Sequence, residues 1–275
     1  MSEARPEARP EARPEAGSEA HPDARSDAGP LRHEPAVGAA AQTGLLLLLG
    51  TVTGLGPVGW LTGLAFTVAT WAVLSRALCR SWPRPTPFGP ANAVTLARTT
   101  LVGGVTALVA ELFVSRPPVV VLVALTTVAL ALDAVDGQVA RRTGTASSFG
   151  ARFDMEADAF LILVLSVCVA LSMGPWVLAI GAMRYVFVAA ARMLPWLNGP
   201  LPPSMARKTV AAVQGVVLLV AAAGILPRVP AYAAVVAALS LLVWSFARDI
   251  RWLWCVRVPG GGVVAAAREA ARGRV

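Results

Sequence analysis

With 275 residues, 56% of them hydrophobic, and a mean hydropathy of +0.64, the chain is too apolar for a soluble domain and long enough to cross a bilayer several times. Its formal net charge of +8 comes from arginines placed largely at the ends of apolar runs, a pattern that fits anionic headgroups and the positive-inside rule and speaks against nucleic acid. Cys79, Cys168 and Cys255 lie far apart with no zinc or disulfide spacing and read as free thiols.

Residues 3–30 run as a degenerate four-residue repeat, EARP, EARP, EARP, EAGS, EAHP, DARS, DAGP. Proline or serine at every fourth place, with glycine and alternating charge, breaks any helix and offers nothing to bury, so a disordered tail is expected over 1–36. It lacks the basic start and short apolar core of a secretion signal and is expected to be retained. His21 and His33 both fall in this tail. A general base in the apolar part of the chain is therefore expected to be a carboxylate.

Apolar runs near the bilayer length of about 20 residues follow at 37–56, 58–78, 92–113, 118–139, 153–173, 175–193, 209–226 and 230–250. The expected fold is all-α, a polytopic helical membrane protein with about eight spans. Gly50/Gly54 and Gly59/Gly63 in the first two runs are spaced for close helix contact. Arginines cluster after the second run (Arg76, Arg80, Arg84), the fourth (Arg141, Arg142, Arg152) and the eighth (Arg248, Arg251, Arg257), and Arg192, Arg207 and Lys208 bracket the loop from sixth to seventh. The opposite loops hold little beyond Arg116 and Arg228. This alternation predicts a multi-pass protein of the cell membrane with both termini on the cytoplasmic side.

Between Pro35 and Asp249 there are six carboxylates, and five of them, Asp133, Asp136, Asp154, Glu156 and Asp158, fall within 133–158; the sixth is Glu111. Carboxylates near a membrane core are costly unless paired, hydrated or metal-bound, which makes this stretch the candidate site. Asp133 and Asp136 are three apart and Asp154 and Asp158 four apart, so on helices each pair shares a face. Glu156 falls about 200° round from Asp154 and points elsewhere. Four converging aspartates repel one another unless a cation joins them, and an all-oxygen set suits a hard ion such as Mg²⁺ together with substrate phosphates. Small residues, Gly137, Ala140, Gly150 and Ala151, leave room for a bulky ligand, and Arg141 offers a fork for its phosphates.

Asp133, Asp136, Gly137, Ala140, Arg141, Gly150, Asp154 and Asp158 together spell D-x2-D-G-x2-A-R-x8-G-x3-D-x3-D, which resembles the signature of the CDP-alcohol phosphotransferase (CDP-alcohol phosphatidyltransferase) family at all eight positions. The resemblance covers residues 92–250 and implies a six-helix core, with the first two spans additional to it. The division expected is a tail over 1–36, two additional helices and a basic linker over 37–90, the family-like membrane domain over 91–255 and a basic cytoplasmic tail over 256–275. The resemblance further implies transfer of a substituted phosphoryl group from a CDP-linked donor to an alcohol with release of CMP, dependent on Mg²⁺ or Mn²⁺. It assigns metal to Asp133, Asp136 and Asp154, the base to Asp158, also close to metal, and the nucleotide lining to Gly137, Ala140, Arg141 and Gly150.

Asn92, Thr95 and Arg98, in NAVTLAR, resemble the start of the family's first core helix, where an Asn and nearby polar residues approach the cytidine; Asn92 and Thr95 are taken as donor-binding candidates. Arg184, Arg207 and Lys208 are candidates for an acceptor pocket because together they would attract an anionic alcohol. Expected partners are a CDP-linked lipid donor, with CDP-diacylglycerol the leading choice, a small alcohol acceptor, membrane lipids and a second copy of the chain, without nucleic acid. The competing readings are a transferase using prenyl diphosphates, which resembles other proteins by two separate aspartate-rich motifs, and a cation transporter, which needs its acids near the bilayer midplane.

Overall fold

The computed structural model of the chain describes residues 34–80, 90–143, 148–199, 201 and 204–257, with the side chains of 34–36, 74–75, 77–80, 90–93, 134–143, 148–153 and 257 left undescribed. The described residues form eight α-helices and no strand: α1 (Glu34–Thr53), α2 (Pro57–Arg80), α3 (Pro90–Glu111), α4 (Val119–Thr143), α5 (Ser148–Met173), α6 (Leu178–Met193), α7 (Met205–Ala223) and α8 (Arg228–Arg257). Short 3-10 turns at Pro175–Val177 and Pro195–Asn198 stand on either side of α6. The repeat tail, the basic linker and the C-terminal tail expected from the sequence lie outside the described residues.

The apolar runs become helices because a chain in hydrocarbon must satisfy its backbone polar groups internally. Their ends follow ordinary helix chemistry. Gly54 and Gly224, with φ of 65° and 64°, stop α1 and α7 in a left-handed conformation that a side chain resists.

Five apolar helical windows are long enough to cross a bilayer: Val94–Glu111, Asp154–Met173, Pro175–Met193, Met205–Ala223 and Arg228–Val256. The eight helices agree with the expected all-α, polytopic fold. The described apolar stretches of the other helices are shorter, Val37–Thr53, Pro57–Val73 and Val119–Asp133.

Helix α3 holds the centre, packed against α1, α2, α4 and α5, and α5 reaches on to α6 and α7. One core runs through the bundle from Leu46 and Leu49 of α1, past Val102, Val105 and Leu108 of α3 and Leu161 and Leu165 of α5, to Val235 of α8. The paired glycines work inside this packing. A Cβ on Gly50 would meet the Trp60 ring at 3.0 Å, one on Gly63 would meet Leu46 at 2.5 Å, and one on Gly59 would meet the Ala107 carbonyl at 3.1 Å.

Glu111, the carboxylate outside the acidic stretch, is buried at the end of α3. Its Oε2 accepts the Gly59 backbone N–H at 2.9 Å and its Oε1 accepts the Ser115 hydroxyl at 2.9 Å. A negative group at the N-terminal end of α2 also complements that helix's dipole. At the other side of the bundle, the Gln214 amide donates to the Ala238 carbonyl at 2.8 Å and ties α7 to α8.

Candidate active site

Three helices meet where the acidic stretch lies. Asp133 stands near the end of the apolar part of α4, and Asp154 and Asp158 stand one turn apart near the start of α5. Both helices pack on α3, and residues 21 to 25 apart in sequence converge. One carboxylate oxygen from each of the three lies within 4.8 Å of the others, with all three groups partly exposed. At that separation two carboxylates repel by about 3 kcal/mol for an effective dielectric near 20, so the cluster demands a cation.

Arg98 of α3 supplies one. Its Nη1 donates to Asp133 Oδ1, and its Nη2 lies 2.5 Å from Asp154 Oδ1 and 3.1 Å from Asp158 Oδ1. The same Nη2 donates to the Asp154 backbone carbonyl at 3.1 Å. One guanidinium thus joins two helices by three ion pairs. Three carboxylates against one arginine still leave a formal charge of −2.

The residues fit a hard divalent cation. The donors are all carboxylate oxygen, close enough to share an ion and partly exposed. Asp136 lies on α4 and Gly150 on α5, but the side chains of Asp136, Gly137, Ala140, Arg141, Gly150 and Asn92 fall outside those described. Thr95 lies three residues before Arg98 on α3, half-buried, and its carbonyl accepts the Thr99 hydroxyl at 2.8 Å.

Glu156 takes no part in the three-aspartate cluster. It faces α6, where Arg184 Nη2 lies 2.5 Å from its Oε1. Two of the three candidate acceptor cations are engaged separately, Arg184 by Glu156 and Arg207 by Asp249 of α8 at 3.3 Å, and Lys208 is exposed. Arg248 completes the α7–α8 group, lying 3.2 Å from Asp249 Oδ1, donating to Ser204 Oγ and stacking over Trp244.

Sequence reasoning placed Arg98 near the nucleotide end and assigned it no part in the cluster. The signal was present, because Arg98 is the one charged residue of the apolar window Val94–Glu111 besides its terminal Glu111. An ionisable side chain inside a span calls for a named partner whether it is acidic or basic.

Fold and site together define a multi-pass helical membrane protein with an acidic cluster able to hold a cation. Residues 89–246, more than half of the chain, match the profile of the CDP-alcohol phosphatidyltransferase family, and the chain belongs to that family. The matched region takes in α3 to α7 and most of α8, and leaves α1 and α2 outside. Neither the curated proteins nor the solved structures provide a match. Membership makes this a membrane transferase of the class that moves a phosphatidyl-type group from a CDP-alcohol to an alcohol with a divalent metal. That decides the reaction class over prenyl-diphosphate transfer and cation transport.

Proposed function

We propose that the protein is a phospholipid synthase that transfers the phosphatidyl group of CDP-diacylglycerol to a small alcohol and releases CMP. The observation that carries this reading is the convergence of Asp133, Asp154 and Asp158 inside the segment that matches the family. A diacyl donor also explains why polar chemistry is set in so apolar a bundle: the donor reaches the site sideways from the bilayer, its CDP head toward the aspartates. The arginine distribution favours the cytoplasmic face of the cell membrane for this site and for both termini.

In this reading Asp133, Asp136 and Asp154, with Asp158 close by, would hold Mg²⁺ or Mn²⁺. The bound ion supplies charge neutralisation of the donor pyrophosphate and of the departing CMP. Gly137, Ala140, Arg141, Gly150, Asn92 and Thr95 line the nucleotide. Asp158 accepts the hydroxyl proton of the acceptor as its oxygen bonds to the phosphatidyl phosphorus. The bond from that phosphorus to the bridging pyrophosphate oxygen breaks, and the electron pair leaves on CMP. The geometry supports this choice of base, because Arg98 lies 3.1 Å from Asp158 and 2.5 Å from Asp154.

Arg184, Arg207 and Lys208 are proposed to receive an anionic acceptor once Glu156 and Asp249 yield the two arginines. The proposed homodimer has its seam away from Gly50, Gly59 and Gly63, which are already packed within the chain.

The test is CMP release from CDP-diacylglycerol by the protein in nanodiscs, with Mg²⁺ and a panel of alcohols, beside a chelator and Asp158→Ala. Acceptor-dependent release lost in both controls is the expected result. Absence of metal-dependent binding of labelled CDP-diacylglycerol would sink the donor assignment.

A further inference from the structure

We propose that Arg98 is a built-in counter-ion that holds the metal-binding carboxylates converged from behind, as a positioning residue for the ion. This inference rests on the metal-dependent transferase reading above and adds to it a residue from a third helix. Burial decides the arrangement. The Arg98 side chain is 1% exposed, whereas those of Asp133, Asp154 and Asp158 are 40%, 34% and 36% exposed. The guanidinium therefore sits on the bundle side of the carboxylates, and an ion arriving from water meets them from the opposite side. Arg98 backs the ligands and leaves their outer face to the ion.

The chemistry of the side chain suits that task. A guanidinium stays charged and presents donors in a planar fork, which lets Nη1 serve α4 while Nη2 serves α5. A lysine ammonium is a point charge and cannot span both helices in the same way. The fixed positive charge lowers the cost of gathering three carboxylates before any ion is bound. It also brings the three described carboxylates from a formal −3 to −2, a charge that still favours a divalent ion.

Helix α3 is itself clamped from its other face. A Cβ on Gly38 of α1 would meet Leu96 at 2.6 Å, and one on Gly103 would meet the Gln42 amide at 2.5 Å. These close approaches lie on both sides of Arg98 along the helix. Helix α1, outside the family match, thus holds the segment that carries the counter-ion.

The test is Mn²⁺ titration by electron paramagnetic resonance on the full-length protein in nanodiscs, comparing wild type, Arg98→Gln, Arg98→Lys and Glu111→Gln. Loss of an outer group that orients metal ligands weakens affinity by about 10- to 100-fold. Arg98→Gln is expected to show that loss, and Arg98→Lys an intermediate one that also serves if the glutamine variant fails to fold. Glu111→Gln, at the far end of α3, is expected to lower the melting temperature with Mn²⁺ affinity unchanged. Mn²⁺ affinity in Arg98→Gln and Arg98→Lys within about twofold of wild type overturns the proposal, as does tighter binding, which would make Arg98 a competitor of the ion. Wild-type protein that takes up no Mn²⁺ and releases no CMP overturns the underlying transferase reading instead.

Discussion

Glu111 accepts the backbone N–H of Gly59 across 52 residues of sequence, so the last turn of the central helix caps the first turn of α2. A Cβ on Gly56 would also stand 2.5 Å from the same carboxylate. This buried contact helps make the N-terminal hairpin part of the bundle. Glu111→Ala strands a buried N–H and is expected to cost about 1–3 kcal/mol, while Glu111→Gln keeps an acceptor and costs less. Thermal unfolding in one detergent reads both, and equal melting temperatures for Glu111→Ala and wild type would refute the role.

Asp158→Ala separates proton transfer from ligand binding. A positioned general base contributes about 10²- to 10⁴-fold, so turnover should fall by that factor. Mn²⁺ and labelled CDP-diacylglycerol should still bind, since Asp133 and Asp154 keep their closer pairing with Arg98. If donor binding disappears along with turnover, Asp158 is a ligand first and the base lies elsewhere.

Gln42 is 3% exposed, and its amide nitrogen and oxygen have no hydrogen-bond partner among the described residues. The amide is wedged against Gly103 where α1 crosses α3. Replacing a buried, unsatisfied amide by a thioether of similar shape removes the desolvation penalty and keeps the volume. Gln42→Met is therefore expected to stabilise the protein by about 1 kcal/mol, seen as a higher melting temperature. A lower one would mean that the amide has a partner after all.

The helices were legible from run length alone, because hydrocarbon leaves the backbone few choices. The pairing of Asp154 with Asp158 was legible too, since helical spacing places them on one face, and Asp133 joins them because α4 and α5 both pack on α3. Glu156 was rightly set apart by the same rotation, and Arg184 is what it meets. What could not be read was the partner across helices. Nothing in the spacing of residue 98 tells which neighbour its guanidinium faces, because that depends on how α3 is rotated against α4 and α5. The role of Glu111 was hidden for the same reason: the Gly59 N–H that it accepts lies 52 residues away in sequence.

The Arg184–Glu156 pair offers the sharpest test of the acceptor pocket. Arg184 Nη2 lies 2.5 Å from Glu156 Oε1, and Glu156 is 55% exposed, so water screens the pair and an anionic acceptor can compete for the arginine. A hydrogen bond to a charged group is worth about 1.5–3 kcal/mol, or roughly 10- to 100-fold in affinity. Arg184→Ala should raise KM for a phosphorylated or carboxylated acceptor by about that factor and leave KM for the donor unchanged. Glu156→Gln should act in the opposite direction, lowering the acceptor KM because the arginine no longer has a rival anion. The two variants therefore bracket the wild type if Arg184 receives the acceptor. Steady-state kinetics with each substrate varied in turn reads the difference, and acceptor KM values that do not move in either variant would assign the pair to helix packing between α5 and α6 alone.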